Sequence, residues 1–202
     1  MQIADRIPAP STPGLAVVLV RHGETDDNLP PLRFQGRRDT PLNETGRAQM
    51  RRLASGTQTG YAGLLSSDLD RAVESARIVG GSLGLEPQLD PRWSESHRGR
   101  WEGLPMDDVA SAEPELWAAW RATDPAFRFP GGESLAEHRD RVRAALSDAL
   151  AAEGPVVVVC HGGTIRLLLE PDLAHFHDLE LPNAAVIGLG RDGEPIRTES
   201  QT

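Results

Sequence analysis

VVLVRHGET, residues 17–25, is an apolar run that ends directly in an arginine, a histidine and a glycine. A near repeat, VVVVCHGGT, lies at residues 156–164. Continuous apolar runs predict strands that are covered on both faces, as in a parallel sheet. Such sheets hold ligands in the loops after the carboxyl ends of their strands. If the two strands are neighbours, His22 and His161 face one pocket; if they are not, the two are unrelated core histidines.

Strand and helix patterns alternate along the rest of the chain. Strands are predicted at residues 15–20, 62–67, 156–160 and 184–189. Helices are predicted at residues 43–55, 68–80 and 134–151. Asn43 is the expected cap of the first helix, and Ser134 with Glu137 has the spacing of a capping box. This alternation predicts an α/β fold with right-handed crossovers.

The length of 202 residues predicts one domain. We expect an irregular lead-in over residues 1–14, the domain itself over residues 15–190, and a polar tail over residues 191–202. Residues 91–133 are rich in Trp, Pro and Gly and show little periodicity. They predict an irregular excursion over the sheet edge that caps a pocket.

Composition excludes several classes of function. The formal net charge of −9 argues against general binding of nucleic acid or an anionic membrane. All 21 cationic residues are arginine, which excludes a Schiff-base lysine and a lysine-dependent phosphate loop. Cys160 is the only cysteine, so an intrachain disulfide or a cysteine zinc cluster cannot form. No apolar run has the length of a signal peptide or a membrane span, and a cytoplasmic protein is expected.

Arg21 and His22 end the first predicted strand. Alone, such a pair is better explained by a solvated arginine and a hydrogen-bonded histidine. Here Gly23 would let the backbone approach a ligand, and Thr25 and Asn28 add neutral donors. The pair therefore becomes a candidate binding site.

Arg71 falls in the first turn of the second predicted helix, where the helix macrodipole disfavours a cation. Either Asp68 and Asp70 neutralise it, or an anion lies at the helix start and is bound by Arg71 and the free N–H groups. Gly162 and Gly163 likewise allow an anion-binding turn at the start of a helix.

Glu95 lies in the aromatic-rich stretch PRWSESHRGRWEGL, residues 91–104. It is either an ordinary surface acid or a carboxyl group whose pKa is raised by apolar surroundings and which donates a proton.

Two arginines, two histidines and one acid, without a metal-ligand set, suit phosphoryl transfer. Arginine binds phosphate through two parallel hydrogen bonds. A neutral imidazole can attack phosphorus, and the acid can protonate the leaving oxygen and then activate water. No metal and no cofactor are needed for this chemistry.

These residues lie in motifs that resemble those of the histidine phosphatase superfamily, also called the phosphoglycerate mutase-like family. The matching motifs are VRHGETDDN, RFQGRRDTPLNETG, SSDLDRA, ESHRGRWEG, GGES and CHGGTIR, in order from about residue 16 to residue 190. The resemblance implies a three-layer αβα sandwich around a mostly parallel central sheet.

The resemblance also implies roles for individual residues. His22 would be the nucleophile that is transiently phosphorylated, and Glu95 would be the general acid and base. Arg21, Arg71 and His161 would bind the phosphoryl group and stabilise its transition state. The positions that would line the phosphate or substrate site are Asn28, Gln35, Gly36 and, through its backbone, Gly162.

The chain departs from the family pattern within ESHRGRWEG. Ser96, His97 and Arg98 stand where an apolar or aromatic residue is often found. Arg98 and Arg100 form a local cationic patch, and Arg98 either contacts an acidic group of the substrate or is a surface arginine. In the first case Arg98→Ala would raise KM more than it lowers kcat.

The predicted function is a phosphomonoesterase acting on a small soluble phosphorylated metabolite, such as a sugar phosphate or a phosphoglycerate. The alternatives are a mutase-type isomerase and a non-catalytic module that binds a phosphorylated ligand. Mutases of the family carry a long insertion with adjacent arginines and a lysine, whereas here the segment from Gly103 to Gly132 is short and lysine is absent. Water is therefore the favoured acceptor, and a homodimer is the prior expectation for assembly.

The remaining residues are given structural roles. Cys160 and His161 are expected on opposite faces of their strand, with Cys160 packed in the core. His138 is placed on the polar face of its helix, and His175 and His177 on a solvated loop. Trp117 and Trp120 are expected in the core or in a pocket wall.

Overall fold

The computed structural model describes residues 3–4, 6–124, 127–170, 173 and 175–196. Its centre is a five-stranded sheet in the order β3-β2-β4-β1-β5. The strands are β1 (Leu15–Arg21), β2 (Gly63–Ser66), β3 (Gln88–Leu89), β4 (Val156–Cys160) and β5 (Val186–Gly190). Only β5 runs antiparallel to its neighbour, so the sheet is mostly parallel, and all four predicted strands are present.

Six α-helices accompany the sheet. They are α1 (Glu44–Ala54), α2 (Asp70–Leu83), α3 (Met106–Ala112), α4 (Pro114–Arg121), α5 (Leu135–Leu150) and α6 (Gly162–Leu169). The predicted caps are confirmed: Asn43 accepts a hydrogen bond from the Gly46 amide, and Ser134 and Glu137 form a reciprocal capping box. These caps satisfy amide groups that have no partner inside the helix.

The helices cover both faces of the sheet because the buried strands alternate their side chains between two apolar layers. Val18 and Val20 of β1 point toward α1 and α2. Val17 and Leu19 point toward α5 and α6. The result is the expected αβα sandwich, and Cys160 packs in the second of these layers as predicted.

The segment over residues 91–133 differs from the predicted irregular excursion, because it contains α3 and α4 and a core of its own. This core is aromatic and includes Phe34, Trp101, Trp120, Phe127 and Phe129. Trp120 is buried and Trp117 packs against it, as expected for core or pocket-wall residues. Helices of seven and eight residues are too short to show a clear apolar period, and the prediction missed them for that reason.

The lead-in and the start of the tail also contact the domain. Ile7 is buried in the first apolar layer, and Ala4 forms a bridge to Val186. After β5, Ile196 packs against the same layer, while residues 197–202 of the predicted tail lie outside the described residues. Within the described ranges, no helix has the length and apolarity to cross a membrane.

Candidate active site

The central strands bring the two predicted histidines together. β1 and β4 are adjacent and parallel, with Arg21 opposite Cys160 in the register. Each strand therefore delivers its histidine to the same carboxyl edge. The amide of His22 donates to the carbonyl of Cys160 over 3.0 Å, and the ring centroids of His22 and His161 are 5.2 Å apart.

His22 is buried and held in one tautomer. Its Nδ1 lies 2.6 Å from the carbonyl oxygen of Gly23, a contact that requires Nδ1 to carry the proton. Burial, followed by the charges of Arg71 and Arg21, holds the pKa of His22 well below 6.5. The ring is therefore neutral near pH 7, and Nε2 keeps a free lone pair.

Gly23 is needed for a close packing of backbone on backbone, and its predicted approach to a ligand stays a prediction. A Cβ atom at this position would lie 2.5 Å from the carbonyl oxygen of Gly46, in the first turn of α1. Gly46 in turn leaves no space for a Cβ beside Glu24. The two glycines allow backbone to pack against backbone, which anchors the His22 loop on α1.

Arg71 is completely buried in the first turn of α2. Its guanidinium donates to the carbonyl oxygens of Gly36 and Arg38 over 2.7 and 2.8 Å. Among the described residues no carboxylate oxygen lies within ion-pair distance of it, so Asp68 and Asp70 do not neutralise it as one explanation required. Burial lowers its pKa to about 10, and the side chain stays protonated at neutral pH.

Arg21 lies beside it at the end of β1. Its Nη1 donates to the carbonyl of Leu181. Burial, followed by the charge of Arg166, lowers the pKa of Arg21 to about 10. The Nε atoms of both Arg21 and Arg71 are buried and have no hydrogen-bond partner in the described part of the chain. A buried donor without a partner costs about 1–3 kcal/mol, a penalty that a bound anion removes.

His161 follows β4, is the N-cap residue of α6 and is fully buried. Its Nε2 lies 2.8 Å from Oγ of Ser67, and its Nδ1 has no partner within the described ranges. Burial, Arg71 and His22 hold its pKa well below 6.5. When the Ser67 hydroxyl donates to Nε2, Nδ1 carries the proton and is a further unused donor. Sequence reasoning missed Ser67.

Glu95 is buried in the segment that connects β3 to α3. Its two carboxylate oxygens accept hydrogen bonds from the amides of Ser96 and Gly163, each over 2.9 Å. Burial opposes ionisation, but Arg98 above all holds its pKa well below 4.5. The expected raised pKa is therefore wrong for the free site: two amides and a guanidinium outweigh the loss of hydration, and Glu95 is ionised.

A cavity of about 110 Å³ borders all of these groups except His161, which is fully buried beside His22. It is lined by the predicted residues Arg21, His22, Asn28, Gln35, Gly36, Arg71, Glu95, Arg98 and Gly162. Thr25 is not among the lining residues. It is buried, and its amide and hydroxyl donate to Oδ1 of Asn28, so its contact is with a lining residue rather than with the cavity.

Four further residues line the cavity: Arg33, Met106, Gly163 and Arg166. Arg166 follows Gly162 by four residues on α6, which places both on one helix face and was a usable signal. Arg33 and Met106 come from two segments that are joined by an isolated β-bridge between Arg33 and Pro105. No local sequence pattern predicts this bridge.

Two other histidines lie elsewhere than predicted. His138 is buried rather than on a polar face, and its Nε2 lies 3.1 Å from the hydroxyl of Thr164. His177 is half-buried against the Trp120 ring, whereas His175 is exposed, as expected for a solvated loop. Both corrections have one cause. The polar sequence around each histidine predicts that it faces solvent, but side chains from other parts of the fold pack against it and bury it.

These buried neutral histidines predict a loss of stability in mild acid. Burial holds the pKa of His22, His138 and His161 below 6.5, to about 4 for His138. Below pH 6.5 the unfolded chain binds protons that the folded chain does not, so the free energy of unfolding falls as the pH falls. We expect a loss of about 3–4 kcal/mol between pH 7 and pH 5.5, measured by urea unfolding.

The variant His138→Gln provides the control. It keeps a donor for Thr164 and removes one titrating group. The loss between the two pH values should shrink by about a third. An unfolding free energy that is constant over this range would contradict the assignment of these rings as neutral.

The cavity holds the groups that phosphoryl transfer requires: a neutral imidazole, buried arginines with unused donors and one carboxylate. Within the described ranges, no group of three or more His, Cys, Asp or Glu side chains is placed to hold a metal ion. Residues 17–201 match the family model of the histidine phosphatase superfamily, branch 1, and the chain belongs to this family. The prediction from the sequence motifs is confirmed.

Named relatives agree with this membership. The chain is 36% identical over 165 residues to the glucosyl-3-phosphoglycerate phosphatase of Mycobacterium tuberculosis, which covers 75% of this chain and 72% of that protein. It is 39% identical over 162 residues to a probable phosphoglycerate mutase of Enterobacter sp., and the match covers 77% of this chain and 73% of that protein. A solved structure of the mycobacterial phosphatase in complex with VO3 superposes with a TM-score of 0.75 at 34% identity, covering 86% of this chain and 92% of that one.

Proposed function

We propose that the protein hydrolyses small phosphorylated sugar-type metabolites through a phosphohistidine on His22. Family membership and the phosphatases among its relatives make it a phosphoric monoester hydrolase. The observation that carries the proposal is the free Nε2 lone pair of His22 beside the unpartnered Nε–H donors of Arg21 and Arg71. Nucleophile and phosphate-binding groups are thus in place before substrate enters.

In the first step Nε2 of His22 attacks phosphorus and the bond from phosphorus to the ester oxygen breaks. Arg21, Arg71 and the Nδ1–H of His161 stabilise the charge on the three phosphoryl oxygens. The proton for the leaving oxygen passes through Glu95. Because Glu95 is ionised in the free site, it takes this proton from the phosphate monoanion, or holds it once the bound dianion has raised its pKa.

In the second step water occupies the place of the departed alcohol. The Glu95 carboxylate accepts a proton from this water, whose oxygen attacks phosphorus as the bond to Nε2 breaks. Inorganic phosphate leaves, and His22 regains its lone pair. The hydrogen bond from His22 to the Gly23 carbonyl keeps the same nitrogen aimed at phosphorus in both steps.

A mutase reaction is the second candidate, since one relative is named a probable phosphoglycerate mutase. It would use the same first step and pass the phosphoryl group to a hydroxyl of the substrate rather than to water. The position of the acceptor, and not the nucleophile, separates the two functions.

The test is phosphate release from a panel of sugar phosphates, phosphoglycerates and an aryl phosphate, with EDTA present. We expect release that is independent of added metal and greatest with a sugar-type ester. Retention of the phosphoryl group on an organic product would indicate the mutase, and folded protein without any turnover would indicate a binding module.

The expected homodimer and cytoplasmic location remain predictions. Sedimentation velocity at micromolar concentration tests the first, with a single species of twice the 21.9 kDa chain mass as the expected result.

A further inference from the structure

The charge of the cavity exceeds what one phosphate requires. Among the residues that line it are five arginines, Arg21, Arg33, Arg71, Arg98 and Arg166, and one carboxylate, Glu95. A phosphoryl dianion bound by Arg21 and Arg71 would leave three cations against one acid. Unbalanced cations in a partly buried cavity attract a second negative group.

The position of Glu95 locates the alcohol part of the substrate. A group that passes a proton to the leaving oxygen lies within hydrogen-bond reach of it. The substituents on that oxygen therefore lie beside Glu95, on the side away from the attacking His22. Nη2 of Arg98 is 3.8 Å from Oε1 of Glu95, so Arg98 borders the space that these substituents occupy.

Arg98 is held in place, and its ion pair with Glu95 is a long one. Its Nε donates to Oγ of Ser96 over 3.0 Å, and its guanidinium carbon lies 5.2 and 5.6 Å from the ring centroids of Phe34 and Phe129. Its side chain is 13% exposed. The distance to Glu95 is too long for a direct hydrogen bond, so the terminal nitrogens keep donors for a ligand.

Arg33 and Arg166 are similarly available. Each donates to a backbone carbonyl, Arg33 to that of Gly103 and Arg166 to that of Leu179. Within the described ranges no carboxylate lies within 4.0 Å of either guanidinium. Both are anchored by backbone groups, which leave their charge uncompensated.

We infer that Arg98, supported by Arg33 and Arg166, forms a second anion subsite that selects phosphate esters whose alcohol part carries a carboxylate or another anionic group within a few bonds of the ester oxygen. This inference rests on the proposed function, because it uses the orientation that Glu95 imposes on the substrate. Binding of the second anion also engages Arg98 beside Glu95 and lessens its hold on the ionised carboxylate. The substrate thereby helps Glu95 to carry the proton that the leaving oxygen needs.

The test compares esters that differ in one group. Glycerol 3-phosphate and 3-phosphoglycerate differ by a hydroxymethyl group in place of a carboxylate, and glycerol 2-phosphate and 2-phosphoglycerate form a second such pair. The measured quantity is the ratio of kcat/KM for the acidic ester to that for its neutral partner. We expect a ratio of about 10 to 100 in one or both pairs, the value of a charge-assisted hydrogen bond.

Arg98→Met keeps an unbranched apolar stem and removes the charge. It should reduce the ratio to about one, mainly by raising KM for the acidic ester, while Arg98→Lys should retain part of it. If the Arg98→Met substitution also changes the pKa of Glu95, that change affects the turnover of both esters equally and cancels in the ratio of their kcat/KM values. Arg100→Gln is the matched control, since Arg100 is exposed, is paired with Glu113 and lies outside the cavity, and it should leave the ratio unchanged.

Three results would overturn the inference while leaving the proposed function intact. They are a wild-type ratio near one with clear phosphate release, an undiminished ratio in Arg98→Met, and an equal loss of the ratio in Arg100→Gln. Absence of release from every ester, including p-nitrophenyl phosphate, contradicts the proposed function instead. The ratio of the two dissociation constants, measured by calorimetry with His22→Asn, then tests the subsite without turnover, and a value near one overturns it.

Discussion

Replacing His22 with asparagine should lower kcat for phosphate release at least about 10⁴-fold, because the proposed phosphoenzyme forms on His22 and no other imidazole is among the described residues that line the cavity. Asparagine can still bond to the Gly23 carbonyl and offers no basic lone pair at the position of Nε2. The buried arginines that are proposed to bind the phosphoryl group stay in place. The loss should therefore appear in kcat, with phosphate still bound as a product inhibitor.

Two quantities are measured. The first is steady-state release of phosphate from the best ester of the panel, and the second is the stability, in acid and in base, of the phosphoryl group carried by protein quenched during turnover. Wild type quenched during turnover should carry a phosphoryl group that survives base and is lost in acid, as a phosphoramidate is, and His22→Asn should carry none. His175→Asn is the matched control, since His175 is exposed and is not among the lining residues. Turnover that survives in His22→Asn would show that another group attacks phosphorus.

Replacing Glu95 with glutamine should lower kcat for alkyl phosphates by about 10²- to 10⁴-fold, the usual contribution of a general acid and base. The amide keeps an acceptor for the Gly163 or Ser96 N–H and loses the ability to carry a proton to the leaving oxygen. Alkoxides are poor leaving groups, so the first step should become slow for these substrates.

The same variant should behave differently with p-nitrophenyl phosphate, whose leaving group needs no proton. We expect a rapid release of about one equivalent of p-nitrophenol per site, followed by slow turnover, because the second step still lacks its base. Rapid-quench or stopped-flow absorbance measures this burst. Glu115→Gln, at an exposed position of α4, serves as the control. Equal losses with alkyl and aryl esters, without a burst, would remove Glu95 from the proton-transfer role.

The elements that sequence patterns predicted correctly are those whose signal is local. A strand buried on both faces must be continuously apolar, so β1 and β4 were visible in the residues themselves. Helix caps depend on side chains within three residues of the amides that they satisfy, so Asn43 and Ser134 were visible as well. Helices α3 and α4 were missed because two turns of helix carry too few apolar positions to define a period.

The charge state of Glu95 could not be predicted in this way. It depends on an amide of Gly163, 68 residues further along the chain, and on a guanidinium whose orientation is set by the rings of Phe34 and Phe129. His138 was misplaced for the same kind of reason, since Thr164 on another helix provides its partner. The charge state and the burial of a side chain both depend on groups that are distant in the sequence and close in the fold.

By itself, the sequence of this protein determined the central strands β1, β2, β4 and β5, the long helices, the family and the identity of the candidate nucleophile, arginines and acid, because residue order and chemistry carry that information. Only the tertiary structure decided which nitrogen of His22 is free, that Arg71 is held by carbonyl groups instead of carboxylates, and that Arg33, Arg98 and Arg166 share one cavity. Those properties arise from the parallel pairing of β1 with β4 and from the packing of the aromatic segment over the sheet edge. Both bring together groups that no local pattern connects.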